Sequence, residues 1–419
     1  ALRPSAEEAA SAVAGEDAAA TLDDVARRAM SVFLHLAGEE GSGEAMVAAG
    51  VVPALLGHLD LARPGPMRAA MAVLLRLAIA APGVAGPATR EACPAVGALL
   101  GALGSPDADL AQQSMMLLAV ISQDAAVGAA MREGGAVPLI MGFLDAPSPL
   151  RQQQALEICG NLCENSEAGS LAMLNCGGLM KVVALLSARA VVVQIAAVRA
   201  LGYLASGGEK MAAAVLAVGC IDTLIALLAS PLEDLRENSA RALYYLSLSG
   251  LCRGPIVNAR GVPAIVMVLG SDSPATQKYA LRALQQLCEG DAAVRRQAVE
   301  AEALPQLVGL LSSPDEEVKA LSSYTLMGFS RDDAENRGVV LNLGGIAAFV
   351  SLLQHHEKTI RHKAAEMLHV FCDEEAGREG LRGCSGVPVL VRALEQALET
   401  RDHSLAGNLT GALAHLTRD

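Results

Sequence analysis

The sequence predicts an all-α solenoid of about nine full three-helix units, preceded by a partial unit. Three observations carry this. A leucine returns at a nearly fixed interval: Leu59, Leu100, Leu144, Leu186, Leu228, Leu269, Leu311, Leu353 and Leu394 are separated by 41, 44, 42, 42, 41, 42, 42 and 41 residues. A second apolar ladder keeps the same period at an offset, through Leu36, Leu77, Val120, Leu162, Leu204, Leu246, Leu287, Phe329, Phe371 and Leu416. Glycine and proline punctuate each period at matching places. Self-similarity at such a period marks stacked helical units, each burying its apolar face against its neighbours.

The first element of a unit is a short helix, as in DAAVRRQAVEAE (291–302). A break follows at a glycine in most units (Gly50, Gly135, Gly178, Gly219, Gly261, Gly345, Gly386), where a tight turn favours a residue without Cβ. The second helix reads like PQLVGLL. Proline stands at its start at positions 53, 94, 138, 263, 305 and 388, where the missing N–H costs nothing and the fixed φ helps. The turn into the third helix is often Ser-Pro: Ser105-Pro106, Ser148-Pro149, Ser230-Pro231, Ser273-Pro274 and Ser313-Pro314. The serine is expected to cap the helix, with Asp107, Glu233 and Asp315 placing negative charge near its positive end. In the third helix, TQKYALRALQQLCE (276–289), apolar residues 280, 281, 284, 287 and 288 recur at helical spacing. Residues 1–37 read as an N-terminal helical partial repeat or cap, and 38–419 as one continuous array.

Composition narrows the function. The apolar share is 52%, enough for a continuous core, but aromatics are 2% and Trp is absent, so the core is aliphatic and close-packed. A net charge of −13 argues against nucleic-acid binding, which needs a basic footprint. Nine cysteines without a CxxC pair read as small buried thiols of a reducing, intracellular compartment. The stretch 211–230 carries only one charge, Asp222, yet Gly219 and Cys220 fall at a repeat break, so no membrane span is expected. The chain begins without Met, its first unit is incomplete and its last lacks a polar cap. A longer protein or a covering partner is the expectation.

With its period of 42, Gly-bounded short helix, PxLVxLL second helix and ALxxL third helix, the chain resembles the armadillo repeat family over roughly residues 20 to 419. The resemblance implies a right-handed superhelix whose third helices line a concave groove that binds protein partners without catalysis. In nuclear-import adaptors of that family, one third-helix position carries Asn with a Trp four residues earlier. Only Asn161 keeps the Asn here and no Trp exists, so a classical import adaptor is not expected. Nor is there a basic N-terminal arm: the first 26 residues hold Arg3 against six acidic residues.

The Trp position is taken instead by Arg199, Arg241 and Arg282, and the Asn position by Tyr203, Tyr245 and Gln286. Residues at i and i+4 share a helical face. These rungs, extended by Lys278 and by Tyr324 in the next unit, are expected to form a strip suited to an acidic or phosphorylated extended segment. Arg241 paired with Glu237, and Tyr244 and Tyr279 as core residues, is the structural alternative. A fixed subunit of a large assembly, such as a ciliary axoneme or other cytoskeletal structure, is the alternative function that the resemblance allows. The run HHEKTIRHKAAEMLH (355–369) places His362, Glu366 and His369 on one face, but it lacks a known metal-ligand signature, so no metal and no cofactor are expected. The absence of GxxxxGK[ST] and GxSxG points away from an enzyme.

Overall fold

The computed structural model describes residues 24–37, 42–80, 93–331 and 333–417, which are helical throughout with no strand. Most of the expected N-terminal cap, residues 1–23, lies outside the described residues. The chain divides into two compact units, Ala1–Ala214 and Val215–Asp419, with the boundary inside helix Glu209–Val218.

In the first unit, helix triplets follow the sequence period. One complete triplet is Ala125–Glu133, Ala136–Phe143 and Pro149–Cys163. The third helices Pro64–Ala80, Ala108–Ile121, Pro149–Cys163 and Val191–Ala205 pack side by side in chain order. Close approach depends on small residues: a Cβ on Gly160 would lie 3.5 Å from the Ala200 Cα and 3.1 Å from the Tyr203 ring. In the second unit the third helices Glu233–Ser247, Pro274–Cys288, Glu316–Ser330, Lys358–Cys372 and His403–Leu416 pack successively in the same way.

Both ladders are core. Leu144, Leu186, Leu228, Leu269, Leu311 and Leu353 are buried, as are Leu162, Leu204, Leu246, Leu287, Phe329 and Phe371. Each fully buried leucine contributes roughly 1.5–3 kcal/mol of transfer free energy. The second ladder loosens near its start. Leu36 is exposed while Ala37 is buried, and at Val120 the better-buried neighbour is Ile121.

Two local expectations are corrected. The left-handed residue at the first break is often not the glycine singled out from the sequence but the residue before it: Gly177 (φ 71), Arg260 (φ 61), Gly344 (φ 77) and Ser385 (φ 56). Gly178 and Gly261 serve close approach instead. A Cβ on Gly261 would meet the Ile256 carbonyl oxygen at 2.7 Å. At the Ser-Pro turns only Ser273 caps its helix through its side chain, accepting from the Thr276 N–H. Ser148 occupies the cap position without a side-chain bond. Ser105 and Ser313 accept from the amides of Asp107 and Asp315, two residues on, and those aspartates are the caps. Ser230 likewise accepts from Leu232 N–H. The physical reason is geometric: Ser-Pro forms the turn, and a carboxylate two residues later reaches the free helix amides and favours the dipole.

Among the described residues no single helix is long and apolar enough to cross a membrane. Residues 211–230 form parts of two helices bent by 88° at the break around Gly219.

Candidate partner-binding face

The sequence-derived site residues all lie on third helices, but they differ in how far they are available. In the first unit Asn161, Arg199 and Tyr203 are partly exposed. Asn161 spends its amide on the preceding third helix, donating to the Ala119 carbonyl at 3.2 Å and the Ser122 hydroxyl at 2.9 Å. Tyr203 lies against Gly160. Among the described residues no carboxylate or carbonyl pairs with Arg199.

In the second unit the residues gather into one aromatic and guanidinium cluster. The Tyr244 and Tyr245 rings are 5.0 Å apart, and Tyr244 and Tyr279 are 6.3 Å apart. The Arg241 guanidinium sits 5.7 Å from the Tyr279 ring centroid, and that of Arg282 sits 5.9 Å from Tyr244. Each guanidinium thus reaches a tyrosine of the neighbouring third helix, a cation–π arrangement that ties the two helices together. Burial pushes the Tyr245 phenol above its usual range, reinforced by Tyr279 and Tyr244 and opposed by Arg241 and Arg282.

The structure corrects the picture of an open basic strip at two points. Arg241 is only 8% exposed and donates to the Asn238 side-chain oxygen. Lys278 pairs with Asp315 at 3.0 Å and Glu317 at 3.3 Å, and Arg282 pairs with Glu317. Partial burial draws the Lys278 pKa down, but its bonds to Asp315 and Glu317 outweigh this and raise it. Burial raises Asp315 in turn, and the Val318 amide and Lys278 outweigh that and lower it. The acids come from the start of the next third helix, so the two cations and two carboxylates form a neutral network. Tyr244, Tyr279, Asp315 and Glu317 were not among the sequence-derived site residues. Their signal appears only when the helices are aligned by repeat: Asp315 and Glu317 stand 37 and 35 residues beyond Lys278 and Arg282.

Further along, Gln286 accepts from Arg253 at 3.2 Å, and Tyr324 is half exposed with the Lys363 ammonium 5.3 Å from its ring centroid. Between Gln286 and Tyr324 opens a cleft of about 290 Å³ whose wall includes Gln285, Gly328, Arg295 and Arg331. Gly328 occupies the position equivalent to Asn161, Tyr203, Tyr245 and Gln286, so this rung has no side chain.

His362, Glu366 and His369 do not converge. His362 meets Asp402 at 2.7 Å, Glu366 pairs with Arg331 and Lys363, and His369 stacks on His415 at 5.4 Å. Glu316, His355 and His356 do approach one another, with ligand atoms within 4.8 Å. However, His355 Nδ1 accepts the Glu357 N–H, which assigns the proton to Nε2, facing Glu316. The Lys319 ammonium lies 3.4 Å from the same nitrogen. Hydrogen bonding accounts for the group, and a cation beside the nitrogen opposes a second one. None of the nine cysteines is in a disulfide. Burial pushes Cys163 and Cys288 up to about 12 and Cys372 up to about 11, which suppresses the nucleophilic thiolate.

Comparison with known proteins agrees with this architecture. A family model described as Armadillo/beta-catenin-like repeat matches residues 209–248 and 252–289. Importin subunit alpha-1b of Oryza sativa subsp. japonica is 28% identical over 164 residues, 39% of this chain. The splicing regulator ARVCF of Homo sapiens is 32% identical over 119 residues, 27% of this chain. The chain covers only 30% and 12% of the lengths of these two relatives. Among solved structures, an engineered protein matches with a TM-score of 0.76 at 24% identity, covering 94% of this chain and 96% of its own. A designed armadillo repeat protein in complex with the peptide (KR)4 matches with a TM-score of 0.52 at 23% identity, covering 56% of this chain and 99% of its own.

Proposed function

Because this chain is an armadillo repeat protein, we propose that it is a non-enzymatic scaffold holding an extended partner segment along its third helices, in the groove that the family uses. One observation carries the reading. The third-helix positions Tyr203, Tyr245 and Gln286, with Tyr324 one turn before the next, remain at least partly exposed beside the buried anchors Leu204, Leu246, Leu287 and Phe329. Tyrosine and arginine supply much of the energy at protein interfaces.

An acidic or phosphorylated segment is the partner chemistry that fits best. It would exchange its own anions for Asp315 and Glu317 on Lys278 and Arg282. That exchange is cheap, because partly exposed ion pairs are worth roughly 0–1 kcal/mol. The designed protein solved with (KR)4 holds a basic peptide; the chemistry proposed here is of opposite charge, in keeping with the missing Trp. Cysteines outside any disulfide fit an intracellular, reducing setting.

Site-specific photo-crosslinking tests the assignment. A photoreactive phenylalanine at Tyr203, Gln286 or Tyr324 should capture the partner in native extract. The same probe at Leu139 or Met180, exposed on second helices, should not. Capture from the second-helix positions with equal or greater yield would overturn the reading.

A further inference from the structure

We infer that the missing side chain at Gly328 creates a specificity subsite that admits an anionic side chain of the bound segment and seats it on Arg295. This rests on the groove reading above and names one contact within it. The cleft beside Gln286 and Tyr324 shares Arg295, Gly328 and Phe329 with a second cleft of about 430 Å³ on the first-helix side. A Cβ built on Gly328 meets nothing within 4 Å, so the opening between the two clefts is where the repeat normally places a side chain. Buried Phe329 contributes apolar wall, and the partly exposed Gln286 and Tyr324 stand at the third-helix side.

Charge decides what enters. Glu289 is engaged by Arg253 at 3.5 Å, and Arg331 by Glu366 at 2.8 Å. Arg295 donates to the Cys288 carbonyl at 3.0 Å, and among the described residues no carboxylate pairs with it. Among the described residues its guanidinium is therefore the charge of the cleft without a carboxylate partner, and guanidinium holds carboxylate or phosphate through paired hydrogen bonds. Beyond it, Glu300, Asp333 and Glu335 outnumber Arg296 in the lining of the second cleft and repel an anion that travels further. The anionic head stops at Arg295.

The test uses the full chain and three fluorescent 12-residue synthetic libraries with degenerate flanks and a central Glu, phosphoserine or Lys. Binding is read by anisotropy. The Glu or phosphoserine library should bind and the Lys library should not; the tighter of the two anionic arms identifies the natural group. Arg295→Ala should weaken binding at least tenfold. Gly328→Leu should do the same while raising the thermal midpoint by about 1 °C, because leucine favours the helix over glycine and its Cβ clashes with nothing. That rise separates a blocked subsite from a damaged fold. If the anionic libraries bind Gly328→Leu and Arg295→Ala as well as the parent, the subsite is wrong and the groove stands. If the Lys library binds and is lost with Gly328→Leu, the charge assignment is overturned. If no library binds, the groove reading falls and the subsite with it.

Discussion

At the scale of single residues, the repeat break shows what a period can and cannot disclose. The recurrence of glycine announces a tight turn. It does not tell which of two neighbours takes positive φ and which must lack a Cβ, because both demands select glycine. Arg260 and Gly261 separate them: Arg260 adopts φ 61 while Gly261 faces the Ile256 backbone and side chain, with a Cβ placed only 2.5 Å from the Ile256 Cγ2. Substitutions at the two sites should therefore act in opposite directions. Gly261→Ala should destabilise by about 1–3 kcal/mol, since neither the Ile256 carbonyl nor its branched side chain can retreat freely. Arg260→Gly should stabilise by about 0.5 kcal/mol, the relief of a left-handed conformation less the added freedom of the unfolded chain. Urea unfolding of both variants checks this, and effects of the same sign would contradict it.

Between elements, polar links join many third helices to the next within a unit, and these were the least legible part. The arginines at 199, 241 and 282 stand out because they share a register. The acids that neutralise Lys278 and Arg282 lie in a turn and first helical residues one period away, so helical spacing alone never brings them together. Asp402 shows the same logic at the last junction. It caps helix His403–Leu416 through the Leu405 amide and receives His362 and Lys358 from helix Lys358–Cys372. The His362 contact, followed by the Leu405 amide and Lys358, overcomes desolvation and holds the Asp402 carboxyl down at about 2. An unperturbed aspartate titrates near 3.9. A carboxylate whose folded pKa is depressed adds stability above the unfolded value and loses it as pH falls through the folded value. Asp402→Asn keeps a capping oxygen and removes the charge. Its thermal midpoint should lie below that of the parent at pH 6, and the gap should close between about pH 4 and pH 2. A gap independent of pH would show that the cap, and not the charge, holds this junction.

For the molecule as a whole, the two ladders made the fold readable because a period of 42 can be satisfied only by repeated local packing. What it left unreadable was the site, since the positions that vary from unit to unit are by definition those the period does not constrain. Gly328 is the clearest case: a glycine in a third helix resembles a weak repeat until the cleft beside it is seen. The same locality governs folding. Within each unit the third helices pack on their neighbours in chain order, so stability is expected to be a sum of local and nearest-neighbour contributions. A fragment starting at the first helix of a period should then keep its structure without the preceding residues. Residues 209–419 begin there, at helix Glu209–Val218. Produced alone, they should show the same helical circular dichroism per residue as the full chain and a cooperative urea transition. Its slope should be about half that of the full chain if the latter unfolds in one step, because the slope scales with the surface exposed on unfolding. An unfolded fragment, or one that regains helix only when residues 1–208 are added in trans, would mean that stability is global and not carried from neighbour to neighbour.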